Sequence, residues 1–253
     1  MSRSHVIPLQ EFAKVLAKRG HDITFVSSFP LEKTINNYRD IEVKISQNDL
    51  KFFDDFSKTM GQDPSSISFL QLMSAISKIL YGHGNFTLQS NEVNNLLNSG
   101  EQYDLVITGY FMSEYLLGIA DHFKCPSIVF FSGGYLSSIH KMVGNPLSIS
   151  GAPHTLLSGA TEMNFIQRLK NFVINGLDLL VFRPIFNYKG RQIYEWGNYY
   201  FIFKLNNKFS SSFNFPSSRY RSYDEMIKNV SLVLINTHFT SSSPRPNLPV
   251  KVF

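Results

Sequence analysis

His5 is the residue of this sequence whose type and position point most directly to chemistry. It follows Ser2, Arg3 and Ser4 and stands just before an amphipathic helical pattern. The positive end of a helix dipole disfavours another positive charge, so a histidine at that end is biased towards its neutral form. A neutral imidazole accepts a proton and can act as a general base. Position alone leaves a second interpretation open, in which His5 is a solvated surface residue.

The elements around His5 are predicted to be a loop, a helix and a strand. Apolar residues recur with the spacing of one helix face at Leu9, Phe12, Ala13 and Leu16. Gly20 ends this helix, and residues 22–26 have the pattern of a strand. In a doubly wound α/β sheet, the loop that enters a helix lies at the carboxyl edge of the sheet, where such folds bind ligands. We therefore expect His5 in a loop at that edge.

The remainder of the chain continues to alternate between strands and helices. Short apolar or alternating runs predict strands at 41–45, 104–108, 126–131 and 231–235. Helical spacing predicts helices at 69–80, 116–123, 163–175 and 192–207. It also predicts a helix that ends at about residue 98, with Val93, Leu96 and Leu97 facing inward. This order is typical of the α/β class, in which parallel strands are joined by crossover helices.

The two ends of the sequence predict that it is part of a longer protein. A helix such as the one that contains Leu9 normally follows a central strand, and too few residues precede His5 to form one. Residues 241–253 include three prolines within 244–249 and are typical of a linker. We therefore expect residues 1–240 to form one domain that is incomplete at its start, and 241–253 to lead to a further domain.

Composition excludes several classes of function. The chain has 24 Lys and Arg against 19 Asp and Glu, a net charge of +5, and these residues are dispersed, so we expect no nucleic-acid partner. The single cysteine, Cys125, excludes a disulfide within the chain and a cysteine metal cluster. The sequence has no apolar run that could span a membrane, no signal peptide and no glycine-rich phosphate motif. We expect no metal site, and a nucleotide would have to bind elsewhere.

Two short motifs concern covalent modification. Asn85 and Asn229 each begin an Asn-X-Ser/Thr sequence and would accept N-linked glycans if the chain enters the secretory pathway. Chance alone often produces one or two such sequences in a chain of this length. The motifs are therefore weak evidence for a secretory location.

Several segments together carry a resemblance to a known family. They are SRSH before a helix, KRGHDITFVSS, YDLVITGYF, LLGIADHFKCPSIVF, GNPLSISGAPH with EMNFIQRLKN, and SLVLINTHF with PRPNLP. In their order and spacing they resemble the amino-terminal half of an animal UDP-glycosyltransferase of the insect type. The resemblance covers nearly the whole chain. It implies a Rossmann-like doubly wound parallel sheet that forms one half of a two-domain GT-B glycosyltransferase, with its first strand missing.

The resemblance also implies a mechanism. The histidine that matches His5 would deprotonate a hydroxyl of a small lipophilic acceptor. The oxygen would then attack the anomeric carbon of a UDP-sugar, transferring glucose or glucuronic acid with inversion and loss of UDP. The family pairs this histidine with an acid at the position where this chain has Gly109. The nearest carboxylate that follows is Glu114, which we expect to be either the partner of the histidine or a solvated helix residue.

Aromatic residues are predicted at the carboxyl ends of the strands, beside the expected site. They are Tyr110, Phe111, Phe131 and Tyr135. Lipophilic acceptors need apolar walls, so we expect Phe111 and Tyr135 to bind the acceptor, with plain core packing as the alternative. No cofactor is expected, because the UDP-sugar is a donor substrate that the absent half would bind.

Two functions of different classes stay open for this chain. The first is the acceptor-binding half of a UDP-glycosyltransferase, inactive without its other half. The second is a truncated, non-catalytic relative that only binds small lipophilic ligands. The resemblance implies an endoplasmic reticulum location, a role in detoxification, and membrane association only through a carboxyl-terminal anchor outside this sequence. The acceptor, the sugar and any homo-oligomer are left open.

Overall fold

The computed structural model of this chain describes most of its sequence. The described residues are 3–44, 86–133, 137–145, 163–196 and 218–236, with 51, 54, 58, 81, 149, 152–154, 157 and 215–216 between them. They belong to two compact units, Met1–Glu101 with Gly197–Asn214 and Gln102–Trp196 with Phe215–Phe253. Each unit has its own parallel sheet flanked by helices, which confirms the predicted α/β, Rossmann-like class. A single domain over 1–240 stays a prediction.

The first unit is built on one helix and two parallel strands. Helix α1 spans Arg3–Lys18, strand β1 spans Ile23–Ser27 and strand β2 spans Tyr38–Glu42. The strands pair in parallel with Phe25 opposite Asp40. Their core consists of the buried residues Val6, Ala13 and Phe25, packed against Leu9, Ile23, Phe29 and Tyr38. The apolar face of α1 therefore lies on the sheet, as the spacing predicted.

Two boundaries in this unit differ from the sequence expectation. Helix α1 begins at Arg3, so His5 lies inside its first turn and the prediction of a loop at His5 is wrong. The reason is Val6, which continues the buried stripe of Ala13 and Ala17 towards the amino end. Strand β2 begins three residues before the predicted 41–45 and ends at Glu42, because its pairing with β1 starts at Tyr38.

A second helix of this unit was predicted with the correct face. Helix α2 spans Asn91–Leu97 and begins at Ser90, whose side chain accepts a hydrogen bond from the backbone N–H of Val93. Val93, Leu96 and Leu97 are all buried, as expected. The helix predicted at 69–80 and the linker predicted at 241–253 lie outside the described residues.

The second unit contains a three-stranded parallel sheet in the order β3-β4-β5. Strand β3 spans Val106–Gly109, β4 spans Ser127–Phe131 and β5 spans Leu232–Ile235. Its helices are α3 at Gly118–Phe123, α4 at Ser137–Val143, α5 at Phe165–Leu177, α6 at Arg183–Trp196 and α7 at Tyr223–Lys228. Val129 and Val233 are fully buried in the middle of the sheet.

The helices of this unit differ in several ways from those that the sequence periodicity predicts. The helix predicted at 116–123 begins only at Gly118, after a 3₁₀ turn at Glu114–Leu117 that buries Tyr115 and Leu117. Helix α6 begins nine residues before the predicted 192–207 and is joined to α5 by a π-helical segment, Asp178–Phe182. The short helices α4 and α7 were not predicted.

Gly118 fills a position where no side chain fits. A Cβ at this residue would lie 2.6 Å from Cε2 of Tyr194 and 2.7 Å from Cδ2 of Phe215. Both rings are fully buried and stack on each other with centroids 5.1 Å apart, so neither can move aside. We expect Gly118→Ala to lower the free energy of unfolding by about 1–3 kcal/mol through overpacking.

Gly176 provides a matched control for this substitution. It lies within α5, and an added Cβ would meet nothing within 4 Å. Gly176→Ala should therefore raise the free energy of unfolding by about 0.5–1 kcal/mol, because alanine loses less backbone entropy in a helix. Urea unfolding of the chain followed by circular dichroism measures both changes. Effects of the same sign for the two variants would contradict the packing described here.

Candidate functional site

His5 is the third residue of α1 and is half-buried. Its neighbour Val6 is packed in the core with Ala13 and Phe25, which fixes the backbone that carries the ring. Nδ1 of His5 lies 3.4 Å from Oγ of Ser4. Burial lowers the pKa of the imidazole below its ordinary value, and the positive amino group of the chain adds to this effect. The ring is therefore neutral near pH 7 and able to accept a proton.

The second unit holds a carboxylate in a hydrogen-bonded cluster. Oε1 of Glu114 lies 2.7 Å from the hydroxyl of Tyr110, and the same hydroxyl lies 2.8 Å from Oγ of Ser138. A tyrosine hydroxyl has one proton and a carboxylate only accepts, so Tyr110 donates to Glu114 and accepts from Ser138. The ring of Tyr110 is buried, with 1% of its surface exposed. Glu114 is therefore held by a buried hydroxyl, and its role as a partner of the histidine stays a prediction.

A tight turn brings Glu114 back to the end of its strand. The N–H of Tyr110 donates to the carbonyl of Phe130 in the neighbouring strand, which places Tyr110 at the carboxyl edge of the sheet. Met112 then adopts φ +53°, a left-handed conformation that costs a side-chain-bearing residue about 1 kcal/mol. The 3₁₀ turn that starts at Glu114 follows directly. This reversal allows a carboxylate four residues after Tyr110 to reach its hydroxyl.

Aromatic rings gather at the same edge of the sheet. The ring of Phe131 lies 6.0 Å from that of Tyr110 and 6.5 Å from that of Phe111, measured between centroids. Tyr110 and Phe131 are buried, so core packing explains both of them. Phe111 is half-buried and keeps part of its surface available to a ligand. Tyr135 lies outside the described residues.

The whole chain matches a known protein family. The family is described as UDP-glucoronosyl and UDP-glucosyl transferase, and the match covers residues 1–253. The chain belongs to this family. The match agrees with the resemblance noted in the sequence and with the parallel sheets of both units.

Individual UDP-glycosyltransferases align with most of this chain but with less than half of their own length. The UDP-glycosyltransferase UGT4 of Dactylopius coccus is 27% identical over 97% of the chain and 45% of the relative. The UDP-glucosyltransferase 2 of the same insect is 28% identical over 93% and 42%, respectively. The UDP-glucuronosyltransferase 1A8 of Homo sapiens is 23% identical over the whole chain and 45% of the relative. No solved structure matches the chain at a significant level.

The predicted site residues are thus distributed over the two units of this UDP-glycosyltransferase chain. His5 belongs to the first unit, whereas Phe111 and Glu114 belong to the second. The pairing of His5 with Glu114 stays a prediction. The hydroxyl of Tyr110 was missed as the partner of Glu114, and Ser138 was missed as the partner of Tyr110. The sequence gives no signal for Ser138, which is distant in the chain and meets Tyr110 only through the fold.

The remaining predictions concern glycosylation, metal binding and membrane-spanning helices. Asn229 ends α7 and is exposed, so it is accessible for modification, whereas Asn85 lies outside the described residues. Among the described residues, no group of three or more histidine, cysteine or acidic side chains could hold a metal ion. In the same part of the chain, no helix combines the length and the apolar character needed to cross a bilayer.

The pKa of His5 can be measured directly in this chain. We expect it to lie below 6.5, the ordinary value for histidine, because burial penalises the charged ring. A proton NMR titration of the imidazole signals would give the value, and the signal that disappears in His5→Gln identifies the residue. A pKa at or above 6.5 would contradict the effect of burial on His5 described here.

The hydrogen bond between Tyr110 and Glu114 can be tested through stability. We expect Tyr110→Phe to lower the free energy of unfolding by about 1–3 kcal/mol, since it removes a buried donor to a charged group. Combined with Glu114→Gln in a double-mutant cycle, the two changes should be non-additive. Urea unfolding measures each variant. Additive effects would show that the two side chains do not interact in solution.

Proposed function

We propose that this chain is the acceptor-binding half of a UDP-glycosyltransferase that transfers a glucosyl or glucuronosyl group to a hydroxyl of a small lipophilic acceptor. The family match over residues 1–253 carries the proposal. The relatives' names give both sugars, since glucosyltransferases and glucuronosyltransferases are among them. The chain spans about 45% of the length of these relatives, so the donor half would come from the remainder of the protein.

His5 would be the general base of this reaction. Its neutral imidazole would take the hydroxyl proton of the acceptor, and the oxygen would form a bond to the anomeric carbon. The bond between that carbon and the UDP oxygen breaks at the same time, and the electron pair leaves with UDP. Attack from the face opposite UDP inverts the anomeric centre. General base catalysis of this kind typically contributes about 10²–10⁴-fold to the rate.

Glu114 would stabilise the imidazolium that forms. A carboxylate beside a histidine serves this purpose in the Ser-His-Asp arrangement. The support for this role is that Glu114 is held by a hydrogen bond from the hydroxyl of Tyr110. Gly109 has no side chain to do the same. Phe111 and Tyr135 would contribute apolar surface to the acceptor.

The location of the longer protein is part of the same proposal. We place it in the endoplasmic reticulum, as the family resemblance implies, with its anchor outside this sequence and a role in detoxification. Asn229 is exposed, so its side chain would be accessible to a glycan in that compartment. Loss of an endoglycosidase-sensitive form in Asn229→Gln would test this part separately.

The catalytic proposal can be tested in a chimera. In it, this chain replaces the segment that it matches in the UGT4 protein of Dactylopius coccus. With UDP-glucose or UDP-glucuronic acid and a lipophilic alcohol, we expect product from the chimera and a loss of about 10²–10⁴-fold in His5→Ala. Glu114→Gln should also lower turnover, and unchanged rates would remove Glu114 from the mechanism.

Controls separate this proposal from the alternative of a non-catalytic binder. Val15→Gln alters an exposed position of α1 far from His5 in sequence and should leave turnover unchanged. If the chimera is inactive while the chain itself binds lipophilic alcohols in a fluorescence assay, the binder is supported and the enzyme is not. An active chimera that keeps its rate in His5→Ala would contradict the assigned base.

The pH dependence gives an independent check on His5. The neutral ring is the active form, so the rate should fall as pH decreases through the pKa of His5. Because burial lowers that pKa, the half-maximal point of the acid limb should lie below pH 6.5. A limb centred above this value would contradict the lowered pKa of His5.

A further inference from the structure

The hydroxyl of Tyr110 joins two side chains that are distant from each other in the sequence. It lies 2.8 Å from Oγ of Ser138 and 2.7 Å from Oε1 of Glu114. The single proton of the tyrosine is given to the carboxylate, so the tyrosine oxygen accepts the proton of the serine. Hydrogen bonds are thus donated in the order Ser138, Tyr110, Glu114, and Ser138 stands at the start of this series.

The rest of Tyr110 is held so firmly that its hydroxyl proton keeps the main freedom of movement. Its backbone N–H donates to the carbonyl of Phe130 at 2.8 Å. Its ring is buried and packs at a steep angle against the ring of Phe131, with centroids 6.0 Å apart. A hydroxyl rotates about its C–O bond to suit its partners. The donor Ser138 occupies one side of the oxygen, so the tyrosine proton is directed towards Glu114.

Packing of helix α4 fixes the position of Ser138. Ile139 and Met142 of this helix have 1% and 2% of their surfaces exposed. The helix contacts α7 and strand β5 of the same unit. Ser138 is half-buried beside Ile139, so its Oγ is carried by a backbone that the core holds. The serine therefore reaches Tyr110 through the packing of the unit and not through local sequence.

Glu114 depends on such partners more than Tyr110 does. Its neighbours Ser113 and Tyr115 are buried, which fixes its backbone at the start of the 3₁₀ turn. The glutamate side chain itself is long and loses rotamer entropy when it is held in one orientation. Hydrogen bonds in series polarise and strengthen one another. Loss of the serine donor would therefore weaken the bond that holds the carboxylate.

We propose that Ser138 is a positioning residue for glycosyl transfer, which orients the carboxylate of Glu114 through the hydroxyl of Tyr110. The inference rests on the proposed function for the part that Glu114 plays in the reaction. Gly109 supplies no carboxylate at the end of its strand, so the orientation of Glu114 determines where the negative charge lies. Ser138 acts through two other side chains. Its loss should therefore lower kcat and leave KM for the acceptor unchanged.

The contact itself can be tested by urea unfolding of this chain, without any activity. Ser138→Ala should raise the equilibrium constant for unfolding about fivefold, because one hydrogen bond is lost. In a Tyr110→Phe background the same substitution should have no effect, since the partner is already absent. Ser218→Ala changes an exposed serine of the same unit and should leave the constant unchanged. Equal effects of Ser138→Ala in the two backgrounds would overturn the proposal.

The role in positioning is tested by turnover of the chimera described above. We expect Ser138→Ala to lower kcat about two- to tenfold, the range expected for one hydrogen bond, and to leave KM unchanged. Ser138→Thr keeps the hydroxyl and should restore the rate. In a Glu114→Gln background, Ser138→Ala should cause no further loss, because the group that it positions is already changed. A loss of the same size in that background would show a general effect on the fold and would overturn the proposal.

The two experiments together separate failure of this inference from failure of the proposed function. If Glu114→Gln lowers turnover but Ser138→Ala keeps the parent rate, the inference about Ser138 is wrong and the role of Glu114 stands. If Glu114→Gln itself keeps the parent rate, the proposed role of Glu114 is wrong. Positioning by Ser138 is then overturned with it, even where unfolding shows that Ser138 and Tyr110 are coupled.

Discussion

The parallel pairing of β3 with β4 is the constraint on which the candidate chemistry of the second unit depends. This pairing places Gly109 opposite Phe130 and ends both strands at the same edge. Tyr110 and Phe111 then follow one strand while Phe131 completes the other, so hydrogen bonds between backbones decide where three aromatic rings meet. The left-handed turn at Met112 returns Glu114 to the same place. A shift of one residue in this register would exchange the buried and exposed faces of the strand.

In the first unit, packing of a helix positions the candidate residue His5, as the turn at Met112 positions Glu114 in the second. Val6 and Ala13 fix α1 on β1, and His5 is carried beside Val6 at the amino end of the helix. The ring is therefore half-buried without being part of the core. This position has an electrostatic consequence, since burial and the helix dipole both disfavour the protonated form. Packing of a neighbouring residue thus sets the protonation state of a candidate base.

The long helix of the second unit shows that burial pattern and hydrophobicity need not coincide. Its spacing of apolar residues predicts a helix correctly at 163–175, and α5 occupies Phe165–Leu177. The usual arrangement in water would place that apolar face inside the protein. Instead the buried positions are Asn171 and Asn175, and the amide of Asn171 donates to the carbonyls of Ile149 and Ala152. The orientation of a helix is therefore decided by the partners available to each of its faces.

The sequence alone determined the α/β class, the positions of β1, β3, β4 and β5, the inward face of α2 and the family, because these depend on local periodicity and on short motifs in order. It placed His5 at a helix start but misjudged that start, since Val6 reveals its role only when packed against Phe25. Only the tertiary structure decided that Glu114 is bound by Tyr110, whose hydroxyl also meets Ser138, 28 positions further along the chain. Contacts of this kind have no period, so no pattern of residues along the chain records them.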